Sequence, residues 1–362
     1  MISYFIVISL VVLFCFLAEK TQAKVPLGDG KFEYKKTTYT SIFLFISATL
    51  LTCMAGLRYH VGMDYVSYYN MYETYKNFKI KDFLDVLNEP LMPFLGKIAS
   101  LIYDSPHTMF FLASVATIGI LLYGVYNETS DFAFVTALYI FVGCWHSSFN
   151  AMRQCLAVTI VFFGRKYITD RKLLKYLLVC FVAFLAHRSA MFCVFFYFVY
   201  SKKFSIRKLI IVLVATLFIA FNYEAIFGFI GWLNDAEYIL NDYSERSVNT
   251  LRTLVGCVPA LVAIYYAVSR KLDKQQIFYV YMIVINAAIR IATSDSAYLY
   301  RLAMFPAIFL PLGLGSLTKV CNVKYRKAFR VCTVILYFLY WLYEILINVT
   351  LREFEWVFFK TI

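Results

Sequence analysis

The chain has 362 residues, of which 62% are hydrophobic and 19% aromatic, and its formal charge is +13. A soluble globular protein of this length does not need so much apolar surface, so that class is excluded. The apolar runs are continuous rather than alternating, which predicts an all-α, polytopic integral membrane protein and not a β-barrel. The nine cysteines form no Cys-x-x-Cys pair and the four histidines are scattered, so neither a disulfide framework nor a metal site is expected.

In chain order, the apolar runs predict about twelve transmembrane helices in a single membrane domain that covers residues 1–362. The first run lacks a preceding basic segment and a small-residue cleavage pattern, so we expect a retained span rather than a signal peptide. The apolar piece from Glu89 to Tyr103 is short and interrupted by proline and glycine, which predicts a re-entrant or interfacial helix. The predicted spans cover residues 2–18, 39–57, 107–126, 132–148, 151–168, 173–187, 189–201, 208–222, 252–269, 276–292, 302–318 and 331–350.

The distribution of charge predicts the orientation of these spans. With the N-terminus outside, the six inside loops hold 22 of the 35 Lys and Arg residues but only 7 of the 22 Asp and Glu residues. This asymmetry satisfies the positive-inside rule. The basic character is therefore a topology signal, with attraction to anionic membrane lipids as an added effect, and nucleic acid is not an expected partner. Two long segments, about 58–106 and 223–251, become external loops.

A polar segment rich in tyrosine follows directly on the second span. Arg58 at its start is expected either to snorkel to the membrane surface or to clamp a phosphate or carboxylate. If the segment is helical, Asp64 and several tyrosines share one face. That face suits either an interfacial aromatic belt or a carboxylate flanked by stacking platforms for a carbohydrate. The tyrosines are Tyr65, Tyr68, Tyr69 and Tyr72.

Four further residues, each from a different hairpin, fall at the same predicted membrane edge. Glu89 is expected to complement a helix N-terminus or to accept a proton or a sugar hydroxyl. Arg153 and Arg301 each open an apolar helix, where a cation opposes the helix dipole and calls for an anion, either a carboxylate or a phosphate. His187 is either an interior histidine or a residue for proton transfer or phosphate binding. Asn150 and Gln154 flank Arg153 as candidate binding residues.

The order of these motifs resembles the EpsG-type, or Wzy-like, family of exopolysaccharide and O-antigen polymerases. The resemblance spans about residues 56 to 301. It rests on Gly56-Leu-Arg58-Tyr-His-Val-Gly62-Met-Asp64-Tyr65-Val-Ser-Tyr68-Tyr69, on Asn88-Glu89-Pro90, on Asn150-Ala-Met-Arg153-Gln154-Cys-Leu-Ala, on Ala186-His187-Arg-Ser189-Ala190 and on Tyr300-Arg301.

The resemblance implies a glycosyltransferase of the bacterial inner membrane, without a cofactor or metal. It would join undecaprenyl-diphosphate-linked oligosaccharide units on the periplasmic face, with a chain-length regulator and a flippase as candidate partners. The cations at Arg58, Arg153 and Arg301 would bind the diphosphate leaving group. A base would activate the acceptor hydroxyl; the candidates are Asp64, Glu89 and His187, with a carboxylate favoured. The tyrosines named above would stack on sugar rings, and apolar walls would hold the polyprenyl tail.

Three other functions fit the same composition. A lipid-linked oligosaccharide flippase or other transporter would line a central path with polar groups at several depths, whereas this polar set lies at one face, which favours an enzyme. An O-antigen ligase-like enzyme would use the same chemistry with a different acceptor. A structural or assembly subunit would tolerate alanine at Arg153 or Asp64 without a change in polymer length.

Overall fold

The computed structural model describes residues 1–28, 31–85, 89–222 and 248–359. The described part is predominantly helical, as the apolar runs predict. Most of the predicted external loop 223–251, together with Asn88 of the Asn88-Glu89-Pro90 motif, lies outside the described residues. Up to residue 163 the elements are α1 (Ile2–Lys20), β1 (Ala23–Gly28), β2 (Lys31–Lys35), α2 (Thr38–Gly56), β3 (Arg58–Tyr59), α3 (Tyr65–Tyr75), α4 (Ile80–Asp85), α5 (Leu91–Ile102), α6 (Pro106–Glu128), α7 (Phe132–Phe141), α8 (Cys144–Asn150) and α9 (Met152–Phe163).

The described elements after residue 163 are again mainly helices, with short 3-10 segments between some of them. They are α10 (Arg165–Thr169), α11 (Leu173–Ala186), a 3-10 helix (Arg188–Phe195), α12 (Phe196–Val199), α13 (Ile206–Phe221), α14 (Thr250–Ser269), α15 (Lys274–Ala292), α16 (Ala297–Tyr300), a 3-10 turn (Arg301–Ala303), α17 (Met304–Ala307), α18 (Leu310–Val320), α19 (Val323–Ile347), α20 (Val349–Arg352), β4 (Glu355–Trp356) and a 3-10 turn (Val357–Phe359).

The number of candidate membrane spans is smaller than the predicted twelve. Within the described residues, six helices are long and apolar enough to cross a membrane: α1, α2, α6, α14, α15 and α19. Two bent pairs, α7 with α8 and Ala297–Ala307 with α18, bring the number to eight if each pair is one span. Helices do lie near all twelve predicted positions, but several are too short. The 14 residues of α11, for example, give only about 21 Å of helix, against a hydrocarbon core of about 30 Å.

Two small antiparallel strand pairs interrupt the helical fold, and the sequence reading did not predict them. In the predicted inside loop 19–38, β1 pairs with β2 from Ala23↔Lys35 onward. Pro26 and Gly28 within β1 weaken its strand signal, which explains the omission. The second pair joins β3 to β4, with Arg58 opposite Trp356 and Tyr59 opposite Glu355.

Inter-residue contacts divide the chain into two compact units. The first contains residues 1–164, 177–191 and 328–362, and the second contains residues 165–176 and 192–327. The first unit holds every candidate site residue except Arg301. In the second, α15 is buried along most of its length and packs against α13, α14 and α18.

Close helix contacts build the first unit. Helices α1 and α2 approach closely enough for the Ser47 hydroxyl to donate to the Val11 carbonyl at 3.3 Å. Helix α6 lies against α2, where a Cβ added at Gly56 would come 2.6 Å from the Cα of Phe111. Small residues such as Ser47 and Gly56, which let helix backbones approach closely, are typical of helices that pack in a membrane. Helix α6 also contacts α5 and α9, so it supports both elements that border the candidate site.

The segment after α2 is held by the C-terminal part of the chain. Beyond the β3–β4 pair, the Gly62 amide donates to the Thr350 carbonyl at 3.2 Å and the Val357 amide donates to the Leu57 carbonyl at 3.0 Å. Gly62 has a φ of +100°, and a Cβ there would lie 2.6 Å from the Phe149 carbonyl oxygen and 2.8 Å from Asn150 Oδ1. Gly62 therefore permits both the left-handed turn and the close approach to α8.

We expect Gly62→Ala to lower the free energy of unfolding by about 3 kcal/mol, because backbone strain and a steric clash act together. Gly143→Ala is the matched control: Gly143 has a φ of +92° but no atom within 4 Å of an added Cβ. The Gly143→Ala substitution should lower the free energy of unfolding by only about 1 kcal/mol, because it adds backbone strain without a steric clash. Thermal unfolding of the detergent-solubilised variants measures the difference, and equal losses would contradict the packing argument.

Candidate functional site

Glu89 and Arg153 form a short ion pair in the first unit. Glu89 immediately precedes Pro90, the residue before α5, and Arg153 lies in the first turn of α9. Arg153 Nη1 donates to Glu89 Oε2 at 2.6 Å, and the two side chains are 32% and 12% exposed respectively. A cation in the first turn of a helix opposes the helix dipole. Glu89 supplies the anion that the sequence reading expected near Arg153.

The other carboxylate oxygen of Glu89 faces the polar break after α11. The backbone amide of Arg188 donates to Glu89 Oε1 at 3.0 Å, and Arg188 Nε lies 3.7 Å from the same oxygen. His187 Nδ1 is 3.9 Å away. Two guanidinium groups, one helix start and one imidazole thus surround a single carboxylate. We call Glu89, Arg153, His187 and Arg188 the Glu89 cluster.

The hydrogen bonds of His187 define its tautomer. Its Nδ1 lies 3.2 Å from the Ser189 amide nitrogen and 2.8 Å from the Ser189 hydroxyl oxygen. A backbone amide can only donate, so Nδ1 is an acceptor and the neutral ring carries its proton on Nε2. Nδ1 therefore does not donate to Glu89. The ring is set up as a hydrogen-bond donor through Nε2.

The tyrosines of α3 divide into two groups. Tyr65, Tyr68 and Tyr72 are buried in an apolar cluster with residues of α5, α6 and α9. Their rings are closed to a sugar, so the predicted stacking role is not supported for these three. Burial is the reason: they pack α3 against its neighbours, as an amphipathic helix requires. Tyr69 alone of the four stays 39% exposed and keeps an accessible ring.

Each buried tyrosine hydroxyl has a polar partner. Tyr72 donates to Asp104 Oδ1 at 2.7 Å, and the Tyr65 hydroxyl lies 2.9 Å from His107 Nε2. The Tyr68 hydroxyl accepts from the Arg153 amide at 3.4 Å, which satisfies one of the donors left open at the start of α9. Burial raises the pKa of Tyr68; Arg153 lowers it and the nearby Asp64 raises it. Tyr68 thus connects α3 to the Glu89 cluster.

Arg58 is enclosed, with 0% of its surface exposed. Its guanidinium donates to the Ala55 carbonyl and, at 3.1 Å each, to the carbonyls of Val61 and Phe149. Burial lowers its pKa to about 10, so it stays protonated at neutral pH. The predicted anion clamp is therefore not supported by the geometry, because the donors are directed at backbone carbonyls. Arg58 positions the segment between α2 and α3 against α8.

The remaining predicted residues occupy different environments. Asn150 Oδ1 accepts from the Met63 amide at 2.7 Å and so helps to hold the same segment. Asp64 is half-buried directly before α3, and Gln154 is buried in α9. Arg301 begins a 3-10 turn of the second unit. The roles predicted for Asp64, Gln154 and Arg301 stay predictions.

The sequence reading underestimated Arg188 and missed Ser189. Neither residue was assigned a role from the sequence, yet both the amide and the side chain of Arg188 face Glu89. The sequence signal for Arg188 and Ser189 is the polar break His187-Arg188-Ser189 between two apolar runs. A helix that starts at such a break has backbone amides without intrahelical acceptors, which can donate to a ligand or a side chain. His107 and Asp104, the partners of two buried tyrosines, carried no comparable signal.

These features define a multi-pass helical membrane protein with an arginine-rich carboxylate cluster. A sequence model of the EpsG family matches residues 41–359, a range that includes the whole cluster. The chain belongs to the EpsG family, which confirms the resemblance drawn from its motifs. No curated protein and no solved structure shows significant similarity to the chain.

We expect Arg58→Ala to lower the free energy of unfolding by about 3 kcal/mol or more, because three buried carbonyls lose a charged donor. Thermal unfolding in detergent measures the loss. Tyr69→Ala, at an exposed position of α3, is the control. Its free energy of unfolding should lie within about 0.5 kcal/mol of the wild-type value. An Arg58→Ala protein that is inactive but as stable as the wild type would instead restore the substrate-binding role first predicted for Arg58.

Proposed function

We propose that this EpsG-family chain is a membrane-embedded polysaccharide polymerase that uses a lipid-diphosphate-linked oligosaccharide donor. The observation that carries the proposal is the Glu89 cluster, in which the guanidinium groups of Arg153 and Arg188 surround one carboxylate and His187 lies beside it. Family membership supports a polymerase in general. The chemistry of these groups supports the proposed donor class.

Such a donor needs a cationic site for its leaving group. A lipid diphosphate carries several negative oxygens, and guanidinium groups match phosphate oxygens through paired hydrogen bonds. Arg153 and Arg188 supply the charge, and the amide at the start of the 3-10 helix adds a fixed dipole. In a water-poor site, such groups stabilise the charge that develops on the departing phosphate.

The acceptor hydroxyl needs a base, and the structure favours a carboxylate. His187 has its Nδ1 lone pair occupied by Ser189, so its Nε2–H is better suited to donate to a phosphate oxygen. Glu89 and Asp64 remain as proton acceptors. The hydroxyl oxygen attacks the anomeric carbon, its proton passes to the carboxylate, and the bond from that carbon to the diphosphate oxygen breaks. The lipid diphosphate leaves with the bonding electron pair.

The product would be a longer chain of repeat units on a lipid carrier. We place the reaction at the periplasmic face of a bacterial inner membrane and identify the carrier as undecaprenyl diphosphate. The asymmetry of basic residues and the family membership support this placement. Tyr69, with its accessible ring, is the tyrosine best placed to contact a sugar.

In a strain that lacks this chain, we expect the wild type to restore long surface polysaccharide, and Arg153→Ala and His187→Ala to reduce it. The loss for Arg153→Ala should be about 100-fold or more, because charge stabilisation in the transition state is removed. A gel of surface polysaccharide, with immunoblots for expression, measures the effect.

Asp131→Asn is the control for this experiment. Asp131 pairs with Arg330 at 3.1 Å in the same unit but outside the Glu89 cluster, so its loss should leave the polymer ladder unchanged. Normal ladders from both site variants would overturn the proposal. Repeat units trapped on the inner face of the membrane of the null strain would identify a flippase instead.

A further inference from the structure

The donors around Glu89 form a site that suits an anion larger than a carboxylate. Arg153 Nη1 and the Arg188 amide each hold one oxygen of Glu89, at 2.6 Å and 3.0 Å, and Arg188 Nε lies at 3.7 Å. Two oxygens on one central atom, each facing a separate donor, is also the arrangement that a phosphate presents. Glu89 thus occupies the position that an anionic ligand of the two arginines would take.

One donor of the site is not used by Glu89. Arg153 Nε is buried and has no hydrogen-bond partner among the described residues. A buried N–H without a partner is unfavourable, and a carboxylate with two oxygens cannot satisfy every donor of two guanidinium groups. A diphosphate offers more acceptor oxygens than Glu89 does. The unsatisfied donor is therefore a second, independent indication that a larger anion fits here.

The place of Glu89 in the chain allows it to be exchanged. It lies between α4 and α5 rather than inside a helix, so its backbone is not fixed by a helical hydrogen-bond ladder. Its contacts with Arg153 and Arg188 are polar and equally available to another anion.

We propose that Glu89 is an internal substitute for the donor's diphosphate. In the unliganded protein it neutralises Arg153 and Arg188; when the lipid-diphosphate donor binds, the diphosphate takes over these arginines and Glu89 is released. The released carboxylate then accepts the proton of the acceptor hydroxyl as the new glycosidic bond forms and the bond to the diphosphate breaks. This inference rests on the proposed function and adds an order: the donor binds before the base becomes available.

The exchange predicts the sign of one substitution effect. Glu89→Gln keeps the size of the side chain but removes the charge that competes with the ligand. We expect it to bind inorganic pyrophosphate about tenfold more tightly than the wild type, as expected when two ligands exclude each other, while polymer synthesis is lost. Isothermal titration calorimetry of the full-length protein in detergent measures binding. Unchanged or weaker binding would show that Glu89 holds the arginines in place, and would overturn the exchange.

Three further variants complete the test. Glu89→Ala should also bind pyrophosphate more tightly. This result would show that the tighter binding of Glu89→Gln is not due to its new side-chain amide. Gel filtration checks that both variants are monodisperse. Asp131→Asn removes a carboxylate paired with an arginine elsewhere in the unit and should leave pyrophosphate binding unchanged. Arg153→Gln should weaken binding at least tenfold, since it removes a direct ligand.

The outcomes separate this inference from the proposed function. Polymer restored by the wild type in cells tests the function alone. If the wild type restores polymer but Glu89→Gln and Glu89→Ala bind pyrophosphate no more tightly, the exchange is wrong and the polymerase assignment stands. If the wild type restores no polymer, the proposed function fails, whatever the affinity for pyrophosphate.

Discussion

The first unit is organised around the need to satisfy a fully buried arginine. Arg58 donates to carbonyls from the end of α2, from the segment that follows and from α8, and so ties three parts of the chain together. A buried cation without such partners would be very unfavourable. The left-handed turn at Gly62 and the contact between Asn150 and Met63 keep the same segment in place. The position of α3, and through Tyr68 that of Arg153, depends on this arrangement.

Arginine therefore serves two purposes in one small region. Arg58 is enclosed and fully engaged by backbone carbonyls, whereas Arg153 is partly exposed and engaged by a carboxylate on a non-helical segment. A carbonyl cannot leave its position in the backbone, but a carboxylate side chain can move away. The first contact is suited to architecture and the second to ligand exchange. The same residue type in similar sequence surroundings, each beside an apolar helix, thus has opposite chemical roles.

The sequence predicted the helical membrane class, the approximate positions of the helices and the grouping of Glu89, Arg153 and His187. These predictions agree with the structure because long apolar runs and charges at helix ends can be recognised from residues that are close in sequence. It did not predict which tyrosines of α3 face inward. Tyr68 and Tyr72 do share one face of α3, whereas Asp64 lies just before the helix. Periodicity does not tell whether such a face meets solvent or protein.

Contacts between distant residues account for most of the remaining errors. The burial of Arg58 depends on Phe149, and the pairing of β3 depends on Trp356, neither of which is near in sequence. The count of twelve spans is not confirmed, because apolar composition does not give helix length: among the described residues six helices, or eight if each bent pair is one span, are long and apolar enough to cross a membrane. The break at His187, which the span prediction did contain, also brings the Arg188 amide to Glu89.

The β3–β4 pair has a consequence for biosynthesis. Arg58 and Tyr59 emerge from the ribosome about 300 residues before their strand partners, Trp356 and Glu355, and helices α3 to α20 are made in between. The segment that supports the Glu89 cluster therefore cannot reach its final hydrogen bonding until residues 355 and 356 have been synthesised. Chains that stop early would insert into the membrane with this segment unpaired. The strand pair thus makes the final hydrogen bonding of this segment dependent on synthesis of residues 355 and 356.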